Sequence, residues 1–216
     1  PAKCICKGTG GRFIEAPHLY HIGEWYYLLV AEGGTEYGHT ECMFRSREPY
    51  SPYESCPQNP ILTNRNLGGY TIQGAGHADI TEDDNGQWLI NLAFRQINMW
   101  RQFHHLGREV FLEPVYWTED GWLKVGTDGT SRIGYEVSAD GCKAFDSADY
   151  PEDKFSLNSK TACYIRCPDF NNYRFDGNDV YLSGTSAKLN SRDNVTFVGD
   201  RQREFDFTAD VNIDES

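Results

Sequence analysis

The chain has 216 residues, with 20 lysines and arginines against 32 aspartates and glutamates, for a formal net charge of −12. That balance excludes a nucleic-acid backbone as partner, since like charges repel and few cations are left to displace its counterions. A hydrophobic share of 39% with 14% aromatics suffices for a core, yet no apolar run approaches the ~20 residues that a membrane-spanning helix needs.

Short apolar or alternating runs separated by turn residues recur along the chain, and helical periodicity is hard to find. Phe13 to Tyr20 reads as extended, His21-Ile22-Gly23-Glu24 as a turn, and Trp25 to Ala31 as the returning strand. Thr40 to Ser46 reads as a further strand, followed by a loop-rich stretch with Pro49, Pro52, Pro57 and Pro60. Ile72 to Ile80 and Gln87 to Phe94 flank a turn at Glu82 to Gly86, and Val110 to Trp117 with Gly121 to Val125 form a hairpin. Gly126 to Tyr150 is rich in Gly, Ser, Thr and Asp and reads as a linker. Strands are then expected at Ala162 to Arg166, Asn178 to Leu182, Asn194 to Val198 and Phe205 to Ile213. Glycine, a polar residue and tryptophan recur at 23–25 and 86–88, an offset of 63 residues. That spacing suits the repeat of a four-stranded propeller blade.

The seven cysteines are odd in number and irregularly spaced, and none forms a Cys-x-x-Cys pair. This reads as free thiols in a reducing compartment, hence a cytoplasmic protein, and not as a disulfide framework or a structural zinc site. Neither a Gly-x-Ser-x-Gly turn nor a phosphate-binding loop occurs, which sets aside serine hydrolases and nucleotide binders. The carboxylate that stands out is Glu15, between Ile14 and Ala16-Pro17 and just ahead of an aromatic strand. Partial desolvation there would favour the protonated form and so a general acid; the plainer reading is a surface glutamate beside a turn.

Five motifs carry a family likeness. Glu15-Ala16-Pro17-His18-Leu19-Tyr20, Ala31-Glu32-Gly33-Gly34-Thr35, Asn59-Pro60-Ile61-Leu62, Gly76-His77-Ala78-Asp79 and His105-Leu106-Gly107-Arg108-Glu109 resemble glycoside hydrolase family 43. Within that family they are most similar to β-xylosidases and α-L-arabinofuranosidases. The run Thr196 to Gln202 resembles the C-terminal β-sandwich of many such xylosidases. The resemblance implies an all-β chain: residues 1–130 as later blades of a five-bladed β-propeller, 131–152 as linker, and 153–216 as the beginning of an incomplete β-sandwich.

The family chemistry inverts the anomeric carbon with an acid and a base roughly 6.5–9.5 Å apart. By resemblance Glu15 is the general acid, and Ala16, replacing a commoner glycine, is a change too small to disturb it. His77 is implied either to contact the sugar or to hold a structural calcium through water, the alternative being a buried hydrogen-bonded histidine. Arg95 is implied to bind the sugar, the alternative being a surface ion pair, and Thr35 and Phe44 to line the pocket. Arg108 and Glu109 are expected to pair structurally. At most one of the neighbours His104 and His105 would face the centre, since adjacent strand residues point to opposite faces.

The family's base lies in an Asp-Pro motif, and a second aspartate tunes the acid; neither has a counterpart before Glu15, and Asp169 after Pro168 does not match. The chain is therefore expected to be the C-terminal part of a longer enzyme. Its partners would be the N-terminal propeller segment and a xylo- or arabino-oligosaccharide, with open strand edges that invite a homo-oligomer. No cofactor is expected for the chemistry, and the chain alone is expected to be inactive. The alternative is a non-catalytic carbohydrate-binding propeller.

Overall fold

Glycine-centred turns at Gly23 and Gly86 reverse the alternating runs and give two four-stranded antiparallel meanders. The structure is a computed structural model that describes residues 2–84, 86–97, 103–135 and 162–214. It divides into two compact units, Pro1–Gly141 and Cys142–Ser216. The first blade comprises β1 (Glu15–Ile22), β2 (Trp25–Glu32), β3 (Thr40–Ser46) and β4 (Glu54–Ser55), paired in that order. The second comprises β5 (Ile72–Asp83), β6 (Gly86–Arg95), β7 (Glu109–Trp117) and β8 (Leu123–Val125), again in sequence order. The repeat seen in the sequence is thus the blade repeat, with Trp25 and Trp88 each near the start of the second strand of a blade.

The faces that meet between the blades form the main core. Tyr27, Leu29 and Met43 of the first blade pack with Ile72, Ala75, Ala78, Leu89 and Ala93 of the second. One end of this junction is held by Arg45, whose guanidinium lies between the rings of Trp25 (4.2 Å) and Trp122 (3.9 Å). It also donates to Glu54 and to the carbonyls of Asp120 and Gly121. Arginine stacks on both faces where an ammonium could not. The outer face of the first blade (Leu28, Val30, Cys42, Phe44) is covered by Ile5, Cys6 and Tyr53. Glu32 anchors that covering segment by accepting from Thr9 N–H (2.6 Å), the Thr9 hydroxyl (2.7 Å) and Gly11 N–H (2.8 Å). On the matching face of the second blade, among the described residues, Val110, Leu112 and Tyr116 are 69%, 49% and 58% exposed. Leu92 and Ile90 lie directly across from Val110 and Leu112.

Two expectations change here. Thr130 and Ser131, at the expected start of the linker, are buried. Asn64 bonds the Ser131 N–H (2.8 Å) and carbonyl (2.9 Å), and the Ser131 hydroxyl donates to Glu113, so the first unit runs on through this segment. Polar composition suggested a linker, but the polar groups are used internally. Residues 136–152 of that linker lie outside the described residues.

In the second unit only Asn178 to Leu182 is matched by a strand. A hairpin of β9 (Tyr173–Asp176) and β10 (Asp179–Leu182) turns at Gly177, with φ 60°. One 3-10 turn, Phe170–Asn172, precedes it, and the Asp169 carboxylate accepts from Asn171 N–H at its start. Ala162 to Arg166 contributes a single bridge, Cys163 to Gly199, while Asn194 to Val198 and Phe205 to Ile213 form no strand. Strand propensity needs a partner edge to be expressed. Phe207, Val211 and Ile213 are exposed and have no paired strand.

Replacing Arg45 by alanine should destabilise the first unit by about 2 kcal/mol, from two lost ring contacts and several charge-assisted hydrogen bonds. Urea unfolding of the two proteins checks this, and Arg45→Lys should recover only part of the loss.

A candidate active site where the blades meet

β1 and β5 are the first strands of their blades, and Glu15 and His77 lie on them. Both strands carry an irregularity beside these residues. In β1 the register shifts between Glu15 and His18, and Ala16 takes φ 48°. In β5 it shifts between Gln73 and Gly76 and again between Gly76 and Asp79, and His77 takes φ 53°. Bulges re-aim side chains. Here they bring His77 Nδ1 to 3.5 Å from Glu15 Oε1.

Glu15 retains 41% side-chain exposure and His77 36%, so the enclosure expected around Glu15 is only partial within this chain. Ala16 takes its left-handed φ without a glycine's freedom. Glycine adopts that conformation freely, whereas an alanine is strained there by about 1–2 kcal/mol.

A third residue, His39, was not singled out in the sequence. Ligating atoms of Glu15, His39 and His77 all lie within 4.8 Å of one another. His39 precedes β3 and is fully buried. Its Nδ1 lies 2.9 Å from the Gly74 carbonyl, which can only accept, so Nδ1 carries the proton. Nε2 is then a buried lone pair without a hydrogen-bond partner. Burial pushes the His39 pKa down against the pull of the Gly74 carbonyl, and the nearby His77 and Arg108 push the same way. The neutral ring lies against Gly76, where a Cβ would come within 2.9 Å of it. The signal in the sequence was the glycine pair Gly74 and Gly76, which marks a close approach without saying to what.

The remaining candidates separate. Thr35 is exposed in the β2–β3 loop. Phe44 is 2% exposed and packs with Leu28, Val30 and Cys42 on the outer face of its blade, so it offers no face to a ligand. It alternates with Met43 and Arg45 along β3, and its parity puts it away from the junction. Arg95 grips Glu109 in a bidentate pair, with Nη2 at 2.9 Å and Nε at 3.0 and 3.1 Å from the carboxylate oxygens. Glu109, expected to pair with Arg108, is thus held by Arg95. Glu109 pairs across to Ala93, which places Arg95 within diagonal reach. His104 and His105 lie in a loop and not on a strand, and His104 stacks on Phe94 at 4.0 Å.

For calcium, the cluster offers one carboxylate and two imidazoles, against the 6–8 oxygens the ion takes. Residues 15, 39 and 77 do not fit a calcium cage, and His77 remains a candidate only for an outer contact through water. Beside the cluster, the Tyr20 hydroxyl donates to Asp79, Ile80 N–H donates to Tyr20 at 3.0 Å, and His18 Nδ1 lies 3.5 Å from Asp79. This ties the two first strands together.

Two four-stranded antiparallel sheets packed on each other, with a carboxyl and an imidazole facing each other on their first strands, have the form of neighbouring β-propeller blades. The profile of glycosyl hydrolases family 43 matches residues 1–123, and the chain belongs to that family. It is 36% identical over 216 residues to a non-reducing end α-L-arabinofuranosidase of Bacteroides ovatus, covering 97% of this chain and 40% of that protein. It is 34% identical to a β-xylosidase of Bacillus subtilis, covering 98% of this chain and 42% of that one. Among solved structures, the Bacteroides ovatus xyloglucan-locus GH43B superposes with a TM-score of 0.74 at 35% identity, over 93% of this chain and 40% of the other. The xylan β-1,4-xylosidase of Bacillus halodurans gives 0.73 at 31% identity, over 95% and 40%. The fold is thus part of a five-bladed propeller, and the chain spans about two fifths of the relatives it matches.

Ala16→Gly should raise stability by about 0.5–1 kcal/mol, the relief of left-handed strain less the added freedom of the unfolded chain. The shift in urea midpoint at unchanged slope measures it, and a lower midpoint would contradict the strain.

Proposed function

We propose that the protein carrying this chain is a glycosidase that removes terminal β-D-xylosyl or α-L-arabinofuranosyl units from xylan-derived oligosaccharides, with inversion, and that Glu15 is its general acid. The observation that carries the reading is the carboxyl of Glu15 on the first strand of its blade, facing His77 across the junction at 3.5 Å. A proton donor has to stand where a leaving-group oxygen can reach it, and Glu15 remains half open. His77 lies close enough to orient that carboxyl and to bond a sugar hydroxyl.

Among the described residues, each of the other buried acids has at least one oxygen taken by a neighbour. Glu41 accepts from Ala78 N–H, Glu32 anchors residues 9–11 and Glu113 takes the Ser131 hydroxyl. The reading therefore assigns the base to a part of the longer relatives that this chain does not cover. The same part would supply the blade that packs on the exposed face of β6 and β7. That face is apolar and of the kind that the first blade has covered. Sugar contact by Arg95 would require it to leave Glu109, so the reading keeps Arg95 as a brace. Thr35, exposed in its loop, stays available to a ligand. A cytoplasmic setting fits the buried thiols: Cys42 and Cys56 form no disulfide, and burial pushes Cys42 up to about 11.

In the full-length protein, Glu15→Ala should lower kcat on xylo-oligosaccharides by about 10²–10⁴-fold, the usual weight of a general acid. It should largely spare aryl glycosides whose leaving groups need no proton, and equal losses on the two substrates would remove Glu15 from that role. The 216-residue chain by itself should turn over neither; measurable hydrolysis of an aryl xyloside by it would show that the base lies within these residues.

A further inference from the structure

Glu41 is a fully buried carboxyl that the chemistry above does not use. It stands in one cross-strand row with the proposed acid: Glu15 pairs with Ala31, and Ala31 pairs with Glu41. Residues in such a row share a face of the sheet. The two carboxyls therefore flank Ala31, whose small side chain leaves room between them for the second blade.

What enters that room is the bulge of β5. Ala78 N–H donates to Glu41 Oε2 at 2.9 Å, and the His77 N–H also favours the charge on this carboxyl. His77 is the residue with φ 53°, a conformation that is costly for any residue with a side chain. A strained backbone persists when its surroundings over-determine it. Two supports are present: the His39 ring lies against Gly76 on one side, and the Glu41 carboxyl takes the amides on the other. The remaining oxygen of Glu41, Oε1, has no hydrogen-bond partner. A carboxyl so placed is unfavourable for folding alone. A glutamine would meet the same backbone amide without the buried acid.

We propose that Glu41 is a positioning residue of this site: its carboxyl holds the left-handed bulge at His77 and so sets the imidazole against Glu15. The claim that this geometry serves glycoside cleavage rests on the function proposed above; the coupling between Glu41, His77 and Glu15 does not.

The test is a double-mutant cycle on the full-length protein, read by the ring-proton NMR resonance of His77. With Glu41 in place, Glu15→Gln should displace that resonance, because the two groups face each other. With Glu41→Ala the displacement should be lost, and Glu41→Gln, which keeps an acceptor for Ala78 N–H, should restore it. If Glu41→Ala does not fold, Glu41→Asp withdraws the carboxyl by one methylene and is read in the same way. An undiminished response of His77 to Glu15→Gln in Glu41→Ala or Glu41→Asp, with only a lowered melting temperature, would overturn the proposal and leave Glu41 a brace. Because no arm uses turnover, a protein with the coupling but no glycosidase activity would refute the function and leave this inference standing.

Discussion

Close approach of the second blade to the first is the constraint on which the rest depends. Side chains of ordinary size on β5 would hold the sheets apart. The sequence Gly74-Ala75-Gly76-His77-Ala78 lets its backbone settle onto β2 and β3. A Cβ at Gly74 would come within 3.2 Å of the Glu36 carbonyl in the β2–β3 loop, and one at Gly76 within 2.9 Å of the His39 ring. Close-packed interiors do not yield to such intrusions. The two bulges follow from this fit, and they aim His77 and Glu15 at each other.

Burial on this scale raises the problem of charge, and the junction resolves it differently at each end. At the Trp25–Trp122 end the charge is an arginine, weakly hydrated and stacked between rings, with carbonyls and a carboxylate for its donors. At the Glu15–His77 end the groups are acids and imidazoles. Burial holds Glu41 well above the ordinary carboxylate range and His39 below the ordinary imidazole range. Both shifts favour neutral forms, as desolvation requires. The one carboxyl in this row left open to water is Glu15. The difference suits it to exchange a proton with something that arrives from outside.

The blades were legible in the sequence because alternation and turn glycines are local signals. The 63-residue repeat of glycine and tryptophan reported two copies of one unit. Glu15 and His77 were legible through motif resemblance, which already encodes the tertiary arrangement. The ion-pair alternative for Arg95 and the outward face of Phe44 could not be read from the sequence, because side-chain direction depends on strand parity and on which face a neighbour covers, and neither was fixed until the register was known. His39 was missed because a lone histidine after a glycine has no periodic or motif context; it matters only through Gly74 and Gly76, 35 and 37 residues further on. The last third failed for a related reason. Its runs have strand composition, but pairing is a property of two segments, and only β9 and β10 lie close enough in sequence to find each other.

The asymmetry of the two blades carries the argument one step further. Each has an inner-facing side in the shared core, but among the described residues only the first has its outer side covered, by residues 5, 6 and 53. The residues exposed on the second, Val110, Leu112 and Tyr116, alternate with buried Glu113 and half-buried Phe111 and Val115 as a two-sided strand requires. Strands apolar on both faces belong inside stacked sheets. β7 therefore has the pattern of a strand inside a stack of blades. A sheet packed on Val110, Leu112 and Tyr116 would bury on the second blade the kind of apolar face that Ile5, Cys6 and Tyr53 already cover on the first.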